Sequence, residues 1–212
     1  MGLCGSCLLI RNNPIGHIDG ISLVGKFHIS TLLEVNVGLN SMINERSDSL
    51  KRNYLPPIDR YKFAVAHAKG LVADAASGMG YGVKMLGDAG FKVIGFDISK
   101  EAIHYSRENY PGTYVLANIE NQTFEGFDTL VCLETLEHLL DPYVFIKNLN
   151  VPNLIISTTT TETKGYEDEW HKVTLTVEEL KNMLTPKFKI VDEFHQTDGG
   201  DEYHIVYAII NN

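Results

Sequence analysis

Three polar residues in the segment CLETLEHLLDP have side chains that can bind a metal ion or move a proton. Glu134, Glu137 and His138 follow one another at positions i, i+3 and i+4. In a helix this spacing turns all three side chains toward one side of a single turn. Such a group would form a metal site or a catalytic acid and base, whereas a glutamate at a helix start is also favoured by the helix dipole alone. The segment by itself leaves these interpretations open.

Length and composition set the class of protein. The chain has 212 residues, of which 44% are hydrophobic, so it can bury the core of one domain. A net charge of −9 disfavours an extended phosphate-binding surface, and therefore a nucleic-acid partner. No apolar run reaches the roughly 18 residues of a membrane-spanning helix. The three cysteines, Cys4, Cys7 and Cys132, are too few for a disulfide framework, which predicts a reducing, cytoplasmic location.

Residues 1–50 are predicted to be an N-terminal extension. They begin MGLCGS, which fits the M-G-x-x-x-[ST] pattern of N-myristoylation, with Cys4 available for a second acyl chain. The alternative is a loosely structured extension. The segment that begins at Met42 resembles an independent protein start. The folded domain is predicted to occupy residues 51–212.

From Leu71 onward, strand-like segments alternate with helix-like segments, as in βαβ units around a parallel sheet. The five predicted parallel strands are LVADAA, FKVIGFD, TYVLAN, FDTLVCL and NLIISTT, and the helix after Glu137 is predicted to run to about Asn150. A capping box of Thr176 and Glu179 then begins VEELKNML, and HQTDGGD separates FKIVDEF from YHIVYAII as a hairpin turn would. The predicted fold is α/β: a doubly wound, mainly parallel sheet that ends in an antiparallel pair, with helices on both faces.

The loop DAASGMGYG follows the first strand, where ligands of doubly wound sheets bind. Gly78 and Gly80 place no side chain between a ligand and the backbone, and Asp97 ends the next strand at the distance expected of a carboxylate that binds ribose hydroxyls. A dinucleotide fingerprint would need glycine at Val83, and Asp74 would repel a pyrophosphate. Both departures favour S-adenosylmethionine, whose sulfonium and ammonium groups are positive, over NAD.

In order and spacing, these motifs resemble those of the class I S-adenosylmethionine-dependent methyltransferases. The segments similar to the four family motifs are DAASGMGYG, VIGFDIS, LANIE and FDTLVCLETLEHLLDP. DRYKFAVA before them and WHKVTLTVEELKNML after them resemble flanking segments of the branch that modifies small molecules and glycans. The resemblance covers roughly residues 58–210. It implies a Rossmann-like sheet of seven strands, in the order 3-2-1-4-5-7-6, with the last strand antiparallel.

The resemblance also assigns roles to matching positions. Asp97 would hold the ribose hydroxyls, Ile98 would pack on adenine, Asn118 and Ile119 would meet the adenine edge, and Leu133 would lie near the methionine moiety. The full set implied to bind the cofactor is Tyr61, Asp74, Ala76, Gly78, Gly80, Asp97, Ile98, Asn118, Ile119 and Leu133.

Several positions depart from the family or extend the site. Ala76 stands where many members have glycine, and Asn118 stands where many have aspartate. These departures keep open a cofactor-binding protein of the same fold without catalysis, and an NAD-dependent oxidoreductase is the other alternative. Arg60 with Tyr61 is implied to close over the cofactor.

In ubiquinone-pathway O-methyltransferases and in small-RNA 2′-O-methyltransferases, a similar E-x-x-E-H segment supplies ligands to a divalent metal that binds an acceptor diol. Glu134, Glu137 and His138 match that pattern, and His171 is the implied fourth ligand. The ion, Mg²⁺ or another divalent metal, would lower the pKa of a hydroxyl and orient it for attack on the methyl group. Without a metal, His171 or His138 would act as the general base. The catalytic residues implied are His171, Glu134 and His138.

Both routes predict methyl transfer to a hydroxyl of a small molecule or glycan. Acceptor specificity is expected from the N-terminal region and from the loop between Thr160 and Lys172, in which Tyr166 and Trp170 can line a pocket.

Overall fold

The fold is known from a computed structural model, which describes residues 58–160, 171–198 and 201–211. The predictions for residues 1–50, Met42, Tyr166 and Trp170 lie outside these ranges, and the domain boundary at residue 51 therefore stays a prediction. No helix within the described ranges is both long enough and apolar enough to cross a bilayer.

Seven strands form a single sheet in the order β3-β2-β1-β4-β5-β7-β6, as predicted. The first five strands are parallel to one another, and β7 runs antiparallel to both β5 and β6. The carboxyl ends of the parallel strands therefore meet at one edge of the sheet. The strands are β1 (Leu71–Ala75), β2 (Lys92–Asp97), β3 (Thr113–Leu116), β4 (Thr129–Cys132), β5 (Asn153–Thr160), β6 (Phe188–Asp198) and β7 (Asp201–Ile210).

Within the described residues, five α-helices cover the sheet, and side-chain caps fix where several of them begin. The Ser99 hydroxyl accepts a hydrogen bond from the amide of Ala102, and the predicted capping box of Thr176 and Glu179 is confirmed. Each such cap satisfies amide groups that the helix itself leaves unpaired. The helices are α1 (Ile58–His67), α2 (Tyr81–Asp88), α3 (Lys100–Asn109), α4 (Pro142–Asn148) and α5 (Val177–Leu184).

Apolar side chains pack on both faces of the sheet and hold the strand ends in place. One layer joins α4 and α5 to the sheet and includes Leu130, Phe145, Ile156 and Leu180. The other joins α1 and α2 to the opposite face and includes Tyr61, Leu86, Val131 and Ile205. Burial of each large apolar side chain contributes roughly 1.5–3 kcal/mol. The two layers confirm the predicted arrangement of helices on both faces.

The helix predicted after Glu137 is α4, which ends at Asn148, close to the predicted end at about Asn150. A separate 3₁₀ turn spans Leu136–His138, and α4 begins only at Pro142. The Asp141 carboxylate accepts a hydrogen bond from the amide of Val144, and proline suits the first helical position because it has no amide hydrogen to satisfy. The Asp-Pro pair therefore sets the start of the helix, and the E-x-x-E-H segment lies outside it.

The hairpin turn is also shorter than HQTDGGD predicted. Strand β6 continues to Asp198 and β7 begins at Asp201, and His195 pairs across the strands with His204. The polar residues before the turn are thus strand residues, because cross-strand pairing continues past the last apolar position.

Candidate active site

The glycine loop between β1 and α2 lies at the carboxyl edge of the sheet. Gly78 has a φ of +53°, and a Cβ there would meet none of the described atoms within 4 Å, so the loop stays open at this point. Gly80 is required for a different reason, since a Cβ would lie 2.7 Å from the Ser106 Oγ of α3. Ala76 has a φ of 57°, which costs a residue with a Cβ about 1 kcal/mol. The glycine common at this position in the family would not bear that strain.

Asp97 ends β2 beside the loop and is fully buried. Its Oδ2 accepts a hydrogen bond from the Gly78 amide at 2.9 Å, and its Oδ1 accepts one from the Ser99 amide at 2.7 Å. An ionised carboxylate has about four acceptor positions, so ribose hydroxyls can donate to the same oxygens. Asp97 thus ties the open part of the loop to the cap of α3.

An open cavity lies beyond the ends of β2 and β3. Its apolar walls and few polar groups suit a nucleobase. Four of its lining residues, Ala76, Ile98, Asn118 and Ile119, were predicted to bind the cofactor. The full lining is Ala76, Ile98, Ala117, Asn118, Ile119, Glu120, Thr135, His138, Leu139 and Lys172.

The wall formed by Thr135, Leu139 and Lys172 was missed by sequence reasoning. These residues come from segments that follow β4 and β5, and no spacing pattern links them to the glycine loop. Asn118 also has a local role, because its Oδ1 accepts a hydrogen bond from the Glu120 amide at 2.9 Å. One lone pair of the amide oxygen expected to meet adenine is therefore used within the protein.

Asp74 and Tyr61 form a buried pair on the other face of the sheet. The Tyr61 hydroxyl lies 3.0 and 3.1 Å from the two carboxylate oxygens of Asp74. The pKa of Asp74 is raised to about 7, because burial and, to a smaller extent, the charge of Asp97 raise it by more than the Tyr61 hydrogen bond lowers it. Burial and the Asp74 charge raise the pKa of Tyr61. Asp74, expected beside the cofactor, is thus covered by Tyr61 and lines no part of the described cavity.

We expect Asp74→Asn to stabilise the fold increasingly as the pH rises. Between 3.8, the ordinary value, and about 7, the folded state holds a proton that the unfolded state has lost, so the contribution of Asp74 to stability falls across this window. The loss is on the order of 4 kcal/mol at most. Asparagine has no such loss, and its oxygen can still accept from Tyr61.

Thermal unfolding from pH 5 to pH 8 measures this effect. The Tm of Asp74→Asn minus that of the wild type should grow with pH. Asp88→Asn removes an exposed carboxylate of α2 and should leave that difference flat. Parallel curves for Asp74→Asn and the wild type would contradict the assigned shift.

Glu134 follows β4 with a left-handed φ of 49° and turns toward α1. Its carboxylate accepts a hydrogen bond from Ser157, and its Oε1 lies 3.6 Å from the Nε of the fully buried Arg60. Burial and the Glu137 charge raise the pKa of Glu134, while Arg60 lowers it. Arg60 also lies over the Tyr203 ring, 4.0 Å from its centroid. The structure thus places Arg60 against Glu134, whereas the resemblance had implied a contact with the cofactor.

Glu137 anchors the segment after β5 to the end of β4. Its Oε2 accepts a hydrogen bond from Thr158 at 2.9 Å, and its Oε1 accepts one from the Thr159 hydroxyl at 3.2 Å. Its carbonyl oxygen accepts from the amides of Lys172 at 2.7 Å and Val173 at 3.2 Å. The two histidines are consequently brought together, and the ring centroids of His138 and His171 lie 5.1 Å apart.

Three of the four predicted metal ligands converge. One ligand atom from each of Glu137, His138 and His171 lies within 4.8 Å of the others. Glu134 does not belong to this group. The predicted one-sided helical turn does not form, because Glu134 precedes the 3₁₀ turn and its backbone adopts a different conformation. The hydroxyl of Thr159, 3.4 Å from a Glu134 oxygen, is the link between the two carboxylates.

Leu133 and Cys132 complete the end of β4. Both are buried, and burial raises the pKa of the Cys132 thiol well above its ordinary value. The Leu133 carbonyl accepts a hydrogen bond from the Thr135 hydroxyl at 2.8 Å. Leu133 lies at the expected strand end but does not line the described cavity, and Cys132 belongs to the core.

The sheet order, the glycine loop and the acidic residue on β2 define a Rossmann-like methyltransferase fold. Residues 73–150 match the family profile of a methyltransferase domain. Together these findings support an S-adenosylmethionine-dependent methyltransferase enzyme. No curated protein matches the sequence.

Solved structures of methyltransferases share the fold. Magnesium protoporphyrin IX methyltransferase from Synechocystis PCC 6803, with bound S-adenosylhomocysteine, is 18% identical with a TM-score of 0.67, over 81% of this chain and 97% of that one. An S-adenosylmethionine-dependent methyltransferase from Clostridium acetobutylicum is 12% identical with a TM-score of 0.60, over 82% and 100%. A glycopeptide N-methyltransferase with bound sinefungin is 14% identical with a TM-score of 0.59, over 73% and 86%. At these identities the likeness concerns the fold.

Proposed function

We propose that this protein transfers the methyl group of S-adenosylmethionine to a hydroxyl of a small molecule or glycan. The observation that carries the proposal is the group formed by Glu137, His138 and His171, because His138 also lines the cavity assigned to adenine. Side chains that can handle a hydroxyl proton therefore lie beside the donor pocket. The net charge of −9 further favours such an acceptor over a nucleic acid.

In the proposed site, one set of residues binds the methyl donor and another set acts on the acceptor. Asp97 and the open backbone at Gly78 hold the ribose end of the donor, and Ile98 and Ile119 pack on its base. His138 and His171 face the acceptor, where an imidazole can accept the hydroxyl proton near neutral pH. Methyl transfer needs little more than this alignment, since the sulfonium is already an activated leaving group.

The same group also fits a divalent metal. One carboxylate oxygen and two imidazole nitrogens within 4.8 Å of one another can share a single ion. A bound ion would lower the pKa of an acceptor hydroxyl and orient it. Glu137, held by Thr158 and Thr159, would be its best-oriented ligand. Imidazole ligands suit Mn²⁺ or Zn²⁺ better than Mg²⁺, which prefers oxygen.

Calorimetric titration with Mn²⁺ tests the metal part of this proposal. Wild-type protein saturated with S-adenosylhomocysteine should bind one ion, and Glu137→Gln and His171→Gln should each weaken binding more than about a hundredfold, because each removes a direct ligand. His104→Gln, an exposed histidine on α3, is the matched control and should bind like the wild type. Equal binding by all four proteins would place the ion elsewhere.

Product analysis tests the acceptor. Protein incubated with ¹³C-methyl S-adenosylmethionine and an extract of metabolites and glycans should yield an O-methyl product, identified by its carbon shift. An N-methyl product would contradict the hydroxyl assignment. Binding of the donor without any labelled product would instead support the cofactor-binding alternative without catalysis.

A further inference from the structure

The wall that closes the adenine cavity contains one cation whose role the proposed function does not use. Lys172 lines the cavity together with Ile98 and Ile119, and among the described residues it is the only lysine or arginine of the lining. Its side chain is exposed at the cavity mouth. Among the described residues, no carboxylate forms an ion pair with its ammonium group.

Backbone hydrogen bonds hold Lys172 in place at the cavity. The amides of Lys172 and Val173 both donate to the Glu137 carbonyl, at 2.7 and 3.2 Å. Three residues further, Leu175 is buried and bridges to Thr160 of β5. The position of the lysine at the cavity is therefore set by the fold.

The polar groups of the lining complement the edge of adenine when Lys172 is included. Adenine presents three ring nitrogens that accept hydrogen bonds and one amino group that donates. Asn118 and Glu120 carry acceptor oxygens, although one oxygen of each already accepts a backbone amide. Lys172 brings three donors and a positive charge.

We propose that Lys172 is a donor-binding residue that hydrogen-bonds a ring nitrogen of adenine from the segment following β5. This inference rests on the proposed function, because it assumes that the cavity holds the adenine of the methyl donor. It adds to the donor site a residue from the segment that also carries His171. Loss of this hydrogen bond from a charged but solvent-exposed group should weaken ligand binding about tenfold.

Binding of S-adenosylhomocysteine and its deaza analogues tests this contact. The 1-deaza, 3-deaza and 7-deaza analogues each replace one ring nitrogen by a C–H group. Wild-type protein should bind one of the three about tenfold more weakly than the parent. Lys172→Met keeps the apolar stem and removes the charge, so it should bind the parent about tenfold more weakly and lose the discrimination against that analogue.

Controls separate a direct contact from a disturbed segment. Lys147→Met changes an exposed lysine of α4 and should retain both the affinity and the discrimination. If Lys172→Met binds the parent like the wild type, or weakens all four ligands equally, Lys172 does not contact the base and the inference is overturned. If the wild-type protein binds none of the four, the proposed function fails and this inference fails with it.

Discussion

Asp97→Asn lowers the affinity for S-adenosylhomocysteine by at least about a hundredfold. The carboxylate is proposed to accept the ribose hydroxyls while it accepts the amides of Gly78 and Ser99. Asparagine replaces one acceptor oxygen with a donor that would face an N–H group. Two lost charge-assisted hydrogen bonds at about 1.5–3 kcal/mol each account for this magnitude. Calorimetric titration of the folded variant gives the measurement.

A matched control is available at the opposite edge of the sheet. The Asp128 carboxylate also accepts a backbone amide, that of Leu71, at 2.7 Å. Asp128→Asn should therefore affect stability without changing ligand affinity. An Asp97→Asn protein that is folded and binds the ligand within about threefold of the wild type would show that Asp97 only holds the loop.

Gly82→Ala destabilises the fold by about 3 kcal/mol or more. A Cβ at this position would lie 2.1 Å from ring atoms of Tyr61, so the ring must move. That movement breaks the hydrogen bonds from the Tyr61 hydroxyl to Asp74 and leaves a buried carboxylate unpaired. Overpacking and loss of a buried partner each cost about 1–3 kcal/mol. Thermal unfolding should show a Tm about 10 °C lower.

The same helix supplies a control of opposite sign. Gly87 also lies in α2, and a Cβ there meets none of the described atoms within 4 Å. Gly87→Ala should stabilise the protein by up to about 1 kcal/mol through helix propensity. In the double variant of Gly82→Ala and Tyr61→Ala, the two costs should be less than additive, because the clash is gone. Additive destabilisation would mean that a Cβ at position 82 does not clash with the Tyr61 ring.

The elements of the fold were predictable because their signals are local. Alternating strand and helix segments, the Ser99 cap and the capping box of Thr176 and Glu179 all act within a few residues. The exception is informative: the E-x-x-E-H spacing predicts a helical turn, but Pro142 with Asp141 starts the helix later. Local start signals outweighed periodicity at that point.

The composition of the site was predictable only in part, because much of it depends on long-range contacts. Asp97 and Gly78 were found from a motif, and they do lie together. The pairing of Tyr61 with Asp74 was not foreseen, since it forms between α1 and β1 across the glycine at position 82. That glycine stands one position before the one a dinucleotide fingerprint requires, and the structure explains it by helix packing.

The central claim is that the cleft holds an S-adenosyl ligand, and calorimetric titration of the wild-type chain with S-adenosylhomocysteine tests it most directly. The account predicts one site with a micromolar dissociation constant and no heat from NADH under the same conditions. Absence of binding to S-adenosylhomocysteine, or binding to NADH instead, would contradict it.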